Sequence, residues 1–308
     1  MSNLFIIGNG FDLAHNLPTG YNDFYKYLIE TYPEVKNMEP TFNIESRQLP
    51  DGGEEFDRNE VVAFLIDVIS EAEEVGNNWS DIENTLGKLD FDRYFDDMDY
   101  IYVDEDDDRE LYRRPQRYKE VSRNFHKVVI QIKDLFAEWI NSIDTFDTNP
   151  KKTFVDLINP EEDTFFTFNY TPILQELYNA QLVKHVHGSQ GKDIIIGHGE
   201  EPKIISNGYI GTENALERIH SELRKETTFI IENELYEFYD SLESVKNIYS
   251  YGFSFSQVDL PYIETICLYL DTKSMTWYLN SYNYDEDGAK FEKRIRQCGF
   301  KGRFDTFS

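Results

Sequence analysis

Leu4-Phe5-Ile6-Ile7-Gly8-Asn9-Gly10-Phe11-Asp12 decides how the rest of the chain is read. Four apolar residues running into two glycines one position apart predict a buried strand that ends in a tight turn, where the backbone needs freedom more than side chains. Strand, glycine turn and helix in succession form the arrangement in which backbone N–H groups face an anion, commonly the pyrophosphate of a nucleotide. The third glycine of the dinucleotide fingerprint is missing, because Leu13 stands in its place. An ordinary strand-to-helix turn is the plain alternative.

Later stretches repeat the theme. Strands are expected at 164–168, 182–186, 193–196, 246–251 and 274–279, with helical patterns between them at 173–178, 213–244, 263–270 and 288–299. Strands alternating with helices predict an α/β fold, a Rossmann-like, mainly parallel sheet flanked by helices. Four strand ends run into small or polar residues: Gly8-Asn9-Gly10, Asn169, His187-Gly188 and Gly252-Phe253-Ser254. Ligands of open parallel sheets bind at that edge, so these ends are expected to converge on one site. Thr171 is placed as the cap of the helix that Pro172 opens, and Asp259 as the cap of the next long helix.

The stretch between is different in texture. Thr19 is expected to cap a helix over 21–32, and residues 35–56 read as an irregular excursion around Pro40, Pro50, Gly52 and Gly53. Val61, Leu65, Val68 and Ala72 keep helical spacing, Ser80 reads as a cap with Glu83 as its capping-box partner, and Pro115 is expected to open one long helix to about residue 143. Asp104 to Asp108 is an unbroken acidic run that repels itself and belongs in an exposed loop. The expected division is a core of 1–34 and 151–308, with 35–150 a mainly helical insertion or cap after the first strand-helix unit.

Composition narrows the partners. Thirty basic against 58 acidic residues give a formal charge of −28, which disfavours nucleic acid and anionic membrane as partners. Two cysteines without a CxxC spacing offer neither a zinc ribbon nor a disulfide framework, and no metal is expected. With no basic leader and no apolar stretch of membrane-spanning length, a cytoplasmic location is expected. His185 and His198 are the candidates for a two-histidine metal site, although spacing supplies no third ligand. Trp79 and Glu83 lie at helical spacing, with packing as the plain reading.

Several blocks carry a family resemblance: LFIIGNGFDLAHNLPTGYNDF at 4–24, WSDIENTLG at 79–87, TFNYTPILQELY at 167–178, VKHVHGS at 183–189, IIIGHGE at 194–200 and YGFSFSQVDLPYI at 251–263. On these the chain resembles the AbiH proteins of bacterial antiphage abortive infection. More distantly, it is similar to sirtuin-like NAD-binding domains, some of which hydrolyse NAD. That similarity implies that Gly8 and Gly10 approach the NAD phosphates. Asn169 then lies beside the nicotinamide ribose, His187 is the histidine of an HG motif, and Gly252 and Ser254 lie near the adenosine half. Asn9 and Phe11 replace the small residues usual in the sirtuin turn. Thr171 stands where an aspartate is frequent, and the four-cysteine zinc module is absent.

The expected site therefore has Asn169 and His187 as catalytic residues. Gly8, Asn9, Gly10, Phe11, Asp12, Thr167, Tyr170, Gly188, Gly252, Phe253 and Ser254 are expected to contact NAD as substrate or ligand. Nicotinamide is already a cationic leaving group, so hydrolysis needs a held ribose and one positioned water rather than a strong acid. Asn169 suits orientation, and His187, with an ordinary pKa of about 6.5, suits proton acceptance. The plain readings are a turn asparagine, a satisfied buried histidine and, for His15, a structural role. The alternative functions are a sensor or scaffold that binds NAD or an ADP-ribose-like signal without cleaving it, and a nuclease or RNA-targeting toxin, which the acidity opposes. A phage-derived trigger and a homo-oligomer are the further partners the resemblance allows.

Overall fold

The structure is a computed structural model that describes residues 2–73, 81–102, 109–201 and 208–308. Trp79, Ser80 and the run Asp104 to Asp108 lie outside the described residues. The chain forms two compact units, one of Met1–Gly20, Ile140–Ile195 and Glu226–Ser308, the other of Tyr21–Trp139 and Ile196–Lys225.

The first unit holds a six-stranded sheet. Counting only this sheet, its strands are β1 (Ser2–Ile7), β2 (Thr164–Thr167), β3 (Leu182–His185), β4 (Val245–Tyr251), β5 (Thr276–Asn280) and β6 (Arg303–Phe307). They lie in the order β3-β2-β1-β4-β5-β6, every neighbouring pair parallel. That order reverses direction at β1, and in doubly wound sheets the crevice outside the carboxyl ends at the reversal is where ligands bind. The Rossmann-like expectation holds.

Burial on both faces explains the unbroken apolar run of β1. One face carries a row of aromatic rings in register across four strands: Phe165, Phe5, Tyr249 and Tyr278 stack at centroid separations of 5.2, 4.8 and 4.6 Å. Phe154, from a short helix Lys152–Leu157, meets Phe5 edge-on. On the other face Leu4, Ile6, Phe166, Ile248 and Trp277 pack with Tyr262, Ile263 and Ile266 of the helix Leu260–Tyr269 and with Tyr239 and Leu242. Trp277 Nε1 donates to Ser250 Oγ at 2.6 Å, so the largest buried ring also has its polar atom satisfied.

The second unit is mainly helical, built on Tyr21–Thr31, Arg58–Ala72, Asp92–Tyr102, Glu110–Val129 and Glu213–Glu222. Asp57 caps the second of these by accepting from the N–H groups of Asn59 and Glu60. Phe64, Phe91, Tyr94, Phe95 and Phe125 form its aromatic centre. Among the described residues, no helix is long and apolar enough to cross a membrane.

Several local expectations are corrected. Residues 193–196 are not a sheet strand; Ile194 makes only an isolated antiparallel bridge to Gly188. The sixth strand is instead Arg303–Phe307, short and largely exposed. Residues 46–48 and 54–56 pair as a small antiparallel ribbon inside the stretch read as irregular. Pro115 lies within its helix rather than opening it, and Arg117 and Arg113 pair with Glu110 across the added turn. That helix stops at Val129 and a separate one begins at Ile132. Neither threonine caps as expected: the Thr19 hydroxyl has no hydrogen-bond partner, and Thr171 donates elsewhere. Asp259 accepts from Ser256 Oγ instead of capping a backbone N–H.

The glycine turn sets a test of these contacts. Gly252 has φ +64°, and a Cβ on it would lie 2.3 Å from Phe11 N, whereas Gly191 has φ +75° with nothing within 4 Å of its Cβ position. Gly191→Ala is expected to lose roughly 1 kcal/mol for the left-handed backbone. Gly252→Ala should lose more than about 3 kcal/mol, because strain and clash add. Equal losses in urea denaturation would mean that the close approach is not a constraint.

Candidate functional site

At the carboxyl edge of the sheet, the turn after β1 and the end of β4 are interlocked. Gly8 N donates to Tyr251 O at 3.0 Å, Gly10 N to Gly252 O at 2.9 Å, and Phe11 N to Gly8 O at 2.9 Å. A Cβ on Gly8 would stand 2.5 Å from Phe253 Cα, and one on Gly10 2.7 Å from Gly252 Cα. The glycines are thus required by backbone-to-backbone approach. Three N–H groups of the turn already have carbonyl acceptors. The helix that follows, α1 (Asn9–Ala14), is only six residues long. Asn9 reaches back with its Nδ2 to Thr19 O at 2.8 Å and closes the loop behind it. Phe11 is fully buried against Phe154, Tyr178 and Tyr251.

His15, on the residue after α1, is a structural relay. Its Nδ1 donates to Phe11 O at 2.7 Å and its Nε2 accepts from Tyr178 OH at 2.6 Å, while Lys151 N donates to the same hydroxyl. Burial lowers its pKa, consistent with the neutral tautomer those partners require.

Asp12 and Asn169 form the centre of the site. Both are buried, and Asn169 Nδ2 donates to Asp12 Oδ1 at 2.5 Å while Thr171 Oγ1 donates to Oδ2 at 2.7 Å. The Asn169 backbone is held as well: its N–H donates to Thr167 Oγ1 at 3.1 Å, and its carbonyl accepts from His185 Nδ1 at 2.8 Å. Gln175 Nε2 donates to His185 Nε2 at 2.9 Å, which fixes that ring as the neutral Nδ1–H tautomer, and burial lowers its pKa to match. Two oxygens of the cluster are left over, one of them Gln175 Oε1. The other, Asn169 Oδ1, is buried and has no hydrogen-bond partner. Burial raises the Asp12 carboxyl to about 7, against the lowering effect of its two donors.

His187 lies one residue past the extension of β3, 3% exposed, with the rings of Phe168 and Tyr262 at 5.5 and 5.6 Å. Its Nε2 is 3.9 Å from Asp259 Oδ1. Phe168 in turn stacks on Phe253 at 4.4 Å, so the ends of β2, β3 and β4 share one aromatic cluster. Gly188 turns the chain sharply at φ +86°, where a Cβ would meet Asp193 O. Tyr170 OH donates to Ile195 O at 2.9 Å. Ser254 is exposed, and its carbonyl and that of Phe255 accept from Arg294 Nη1.

The expected residues therefore fall into connected groups. Asp12, Thr167 and Asn169 are joined by hydrogen bonds, Gly8, Gly10 and Phe11 touch Gly252 and Phe253 through backbone, and His187 joins Phe253 through Phe168. The chain's sequence pointed to neither the Asp12 acceptor role nor Asp259 beside His187. The available signals were a carboxylate directly after a buried strand and turn, and a hydroxyl two residues beyond Asn169.

A second cluster lies wholly in the helical unit. Lys225 and Glu83 are both buried and paired at 2.6 Å. His198 is fully buried, its Nε2 donating to His220 O and its Nδ1 accepting from Glu200 N, so it is held as a structural residue. A Cβ on Gly87 would strike Glu200 and His198, which places 82–87 directly against 197–200. Among the described residues, no group of three His, Cys, Asp or Glu side chains could hold a metal ion.

A parallel sheet with the 3-2-1-4-5-6 order defines a Rossmann-like α/β protein, and the buried polar cluster at the carboxyl ends of its inner strands is the candidate site. Within that class the chain belongs to a particular family. The model for bacteriophage abortive infection AbiH matches residues 4–281, most of the chain. No curated protein and no solved structure matches.

The Asp12 carboxyl makes a signed prediction. Its pKa is 3.8 ordinarily and about 7 in the fold, so between those values the folded chain holds a proton that the unfolded chain has released. The stability this contributes is complete below the ordinary value and is lost as pH rises through about 7. Urea unfolding of wild type is expected to lose on the order of a few kcal/mol more than Asp12→Asn between about pH 4 and pH 7. Parallel curves for the two proteins would refute the assignment.

Proposed function

We propose that this AbiH-family protein acts in abortive infection by binding an NAD-type nucleotide at the carboxyl edge of its sheet and hydrolysing the nicotinamide–ribose bond. The observation that carries the reading is Asn169, fixed through backbone and side chain yet with a buried carbonyl oxygen that lacks a partner. Buried acceptors are ordinarily satisfied, and a site that binds a hydroxyl or water is one place where an exception is expected. The reversal of strand order beside β1 supports the location. The similarity of the glycine turn, Asn169 and the His187-Gly188 pair to sirtuin-like domains supports the substrate.

In this reading water adds to the anomeric carbon as the bond to nicotinamide breaks, the bonding pair neutralises the pyridinium, and one proton is released. Asn169 Oδ1 accepts a hydrogen bond from the water or a ribose hydroxyl and so orients it. His187 takes the proton, and Asp259 beside its Nε2 stabilises the imidazolium. Because Gly8, Gly10 and Phe11 already donate to carbonyls, recognition rests on Asn169 more than on a phosphate cradle.

A sensor that binds the nucleotide without cleaving it has one observation in its favour, the enclosure of His187 by Phe168 and Tyr262. Chromatographic nicotinamide release and an NAD-dependent thermal shift separate the two. Hydrolysis predicts release by wild type and a loss of about 100-fold or more in His187→Ala. A thermal shift without release, unchanged in His187→Ala, identifies the sensor. A folded wild type showing neither refutes both.

A further inference from the structure

Asp12 stands in the glycine turn where a ligand contact is expected, but both of its carboxylate oxygens are already engaged with Asn169 and Thr171. It is 1% exposed, and no cation is among the influences on its charge, which are burial and two neutral donors. The titratable groups on the elements around it are His15 after α1, Tyr178 on the helix Ile173–Tyr178, His185 on β3 and Tyr251 on β4. Burial shifts each of them toward its neutral form. Lys151 and Lys192 act electrostatically on His15 and His185 and are not among the influences on Asp12. A carboxylate so placed is expensive for the fold, since an uncharged side chain would avoid the desolvation.

Its geometry has a consequence for Asn169. An ionised carboxylate only accepts hydrogen bonds, so it holds the amide with Nδ2 inward; turning the amide over would set Oδ1 against the carboxylate oxygen. Thr171 binds the second oxygen and prevents the carboxylate from rotating away. The backbone bonds from His185 and to Thr167 fix the remainder of the residue.

We propose that Asp12 is a positioning residue that locks the Asn169 amide in the one orientation presenting its carbonyl oxygen, so that the site selects a ligand group donating a hydrogen bond there. The identity of that ligand rests on the function proposed above; the locking of the amide does not.

The test uses the full chain and reads the two levels separately. Side-chain amide resonances of Asn169, assigned by their absence in Asn169→Asp, are followed by nitrogen-labelled NMR from about pH 5.5 to 8.5, where the raised carboxyl titrates. Locking predicts that these resonances titrate in wild type and are flat in Asp12→Asn, in which the new amide can donate to Oδ1 and release the fixed orientation. Resonances that do not titrate in wild type, or titrate equally in both proteins, overturn the proposal whatever the ligand. The second level is NAD itself. Asp12→Asn, confirmed as folded by its melting transition, is expected to weaken the NAD response or nicotinamide release about tenfold or more and to abolish its pH dependence near neutrality. A wild-type NAD response left unchanged by Asp12→Asn overturns the selection claim. A wild type that ignores NAD while the NMR titration is present removes the proposed function and keeps the lock.

Discussion

Between Gly8 and Phe253 there is no room for a Cβ, and the sheet edge is arranged around that contact. The turn after β1 donates two hydrogen bonds to the end of β4, and Gly252 takes a left-handed conformation to let Phe11 N pass within reach. This close approach fixes where α1 begins. It thereby fixes Asp12, and through Asp12 the amide of Asn169 on the next strand. A chain of short contacts thus joins β4 to β1 and β1 to β2.

The same constraint gives the glycines a reason that does not need a ligand. Their N–H groups serve the neighbouring strand, and the chemistry at the edge belongs instead to side chains: a buried carboxylate, a fixed amide with an unpartnered oxygen, and a histidine among aromatic rings near a second carboxylate. Buried polar clusters of this kind are costly unless satisfied. Around Asp12 both carboxylate oxygens and the Asn169 amide nitrogen are satisfied while Asn169 Oδ1 is left without a partner, which is why that atom organises the functional reading.

The blocks that carry the family resemblance meet in two places rather than one. GNGFD, FNYT, HGS and YGFS lie at the sheet edge of the first unit. The segment 82–87 and GHGE meet in the helical unit, where Gly87 is in contact with His198 and Glu200 and Glu83 pairs with Lys225. Alternation of strands and helices was legible because strands buried on both faces leave long apolar runs. Arg303–Phe307 was not, since an edge strand of five mixed residues has no such run, and residues 193–196 misled because their apolar character serves a bridge rather than a sheet. The break at residues 130–131 was hidden by an apolar period that continues through it. Thr171 was misplaced because a hydroxyl beside a helix start is ordinarily a cap, while a buried carboxylate close by in space is a stronger acceptor.

Local sequence by itself determined the fold class, the buried first strand, the glycine turn, and the convergence of strand ends on the carboxyl edge, because these depend on hydrophobic period and backbone freedom. Only the tertiary structure decided that Asp12 faces Asn169 across 157 positions, that Asp259 stands beside His187, and that the N–H groups of Gly8 and Gly10 are engaged at the end of β4. The physical reason is that hydrogen bonds between distant residues depend on strand register and helix placement, which are set by the packing of the whole sheet and leave no trace in the spacing of either partner.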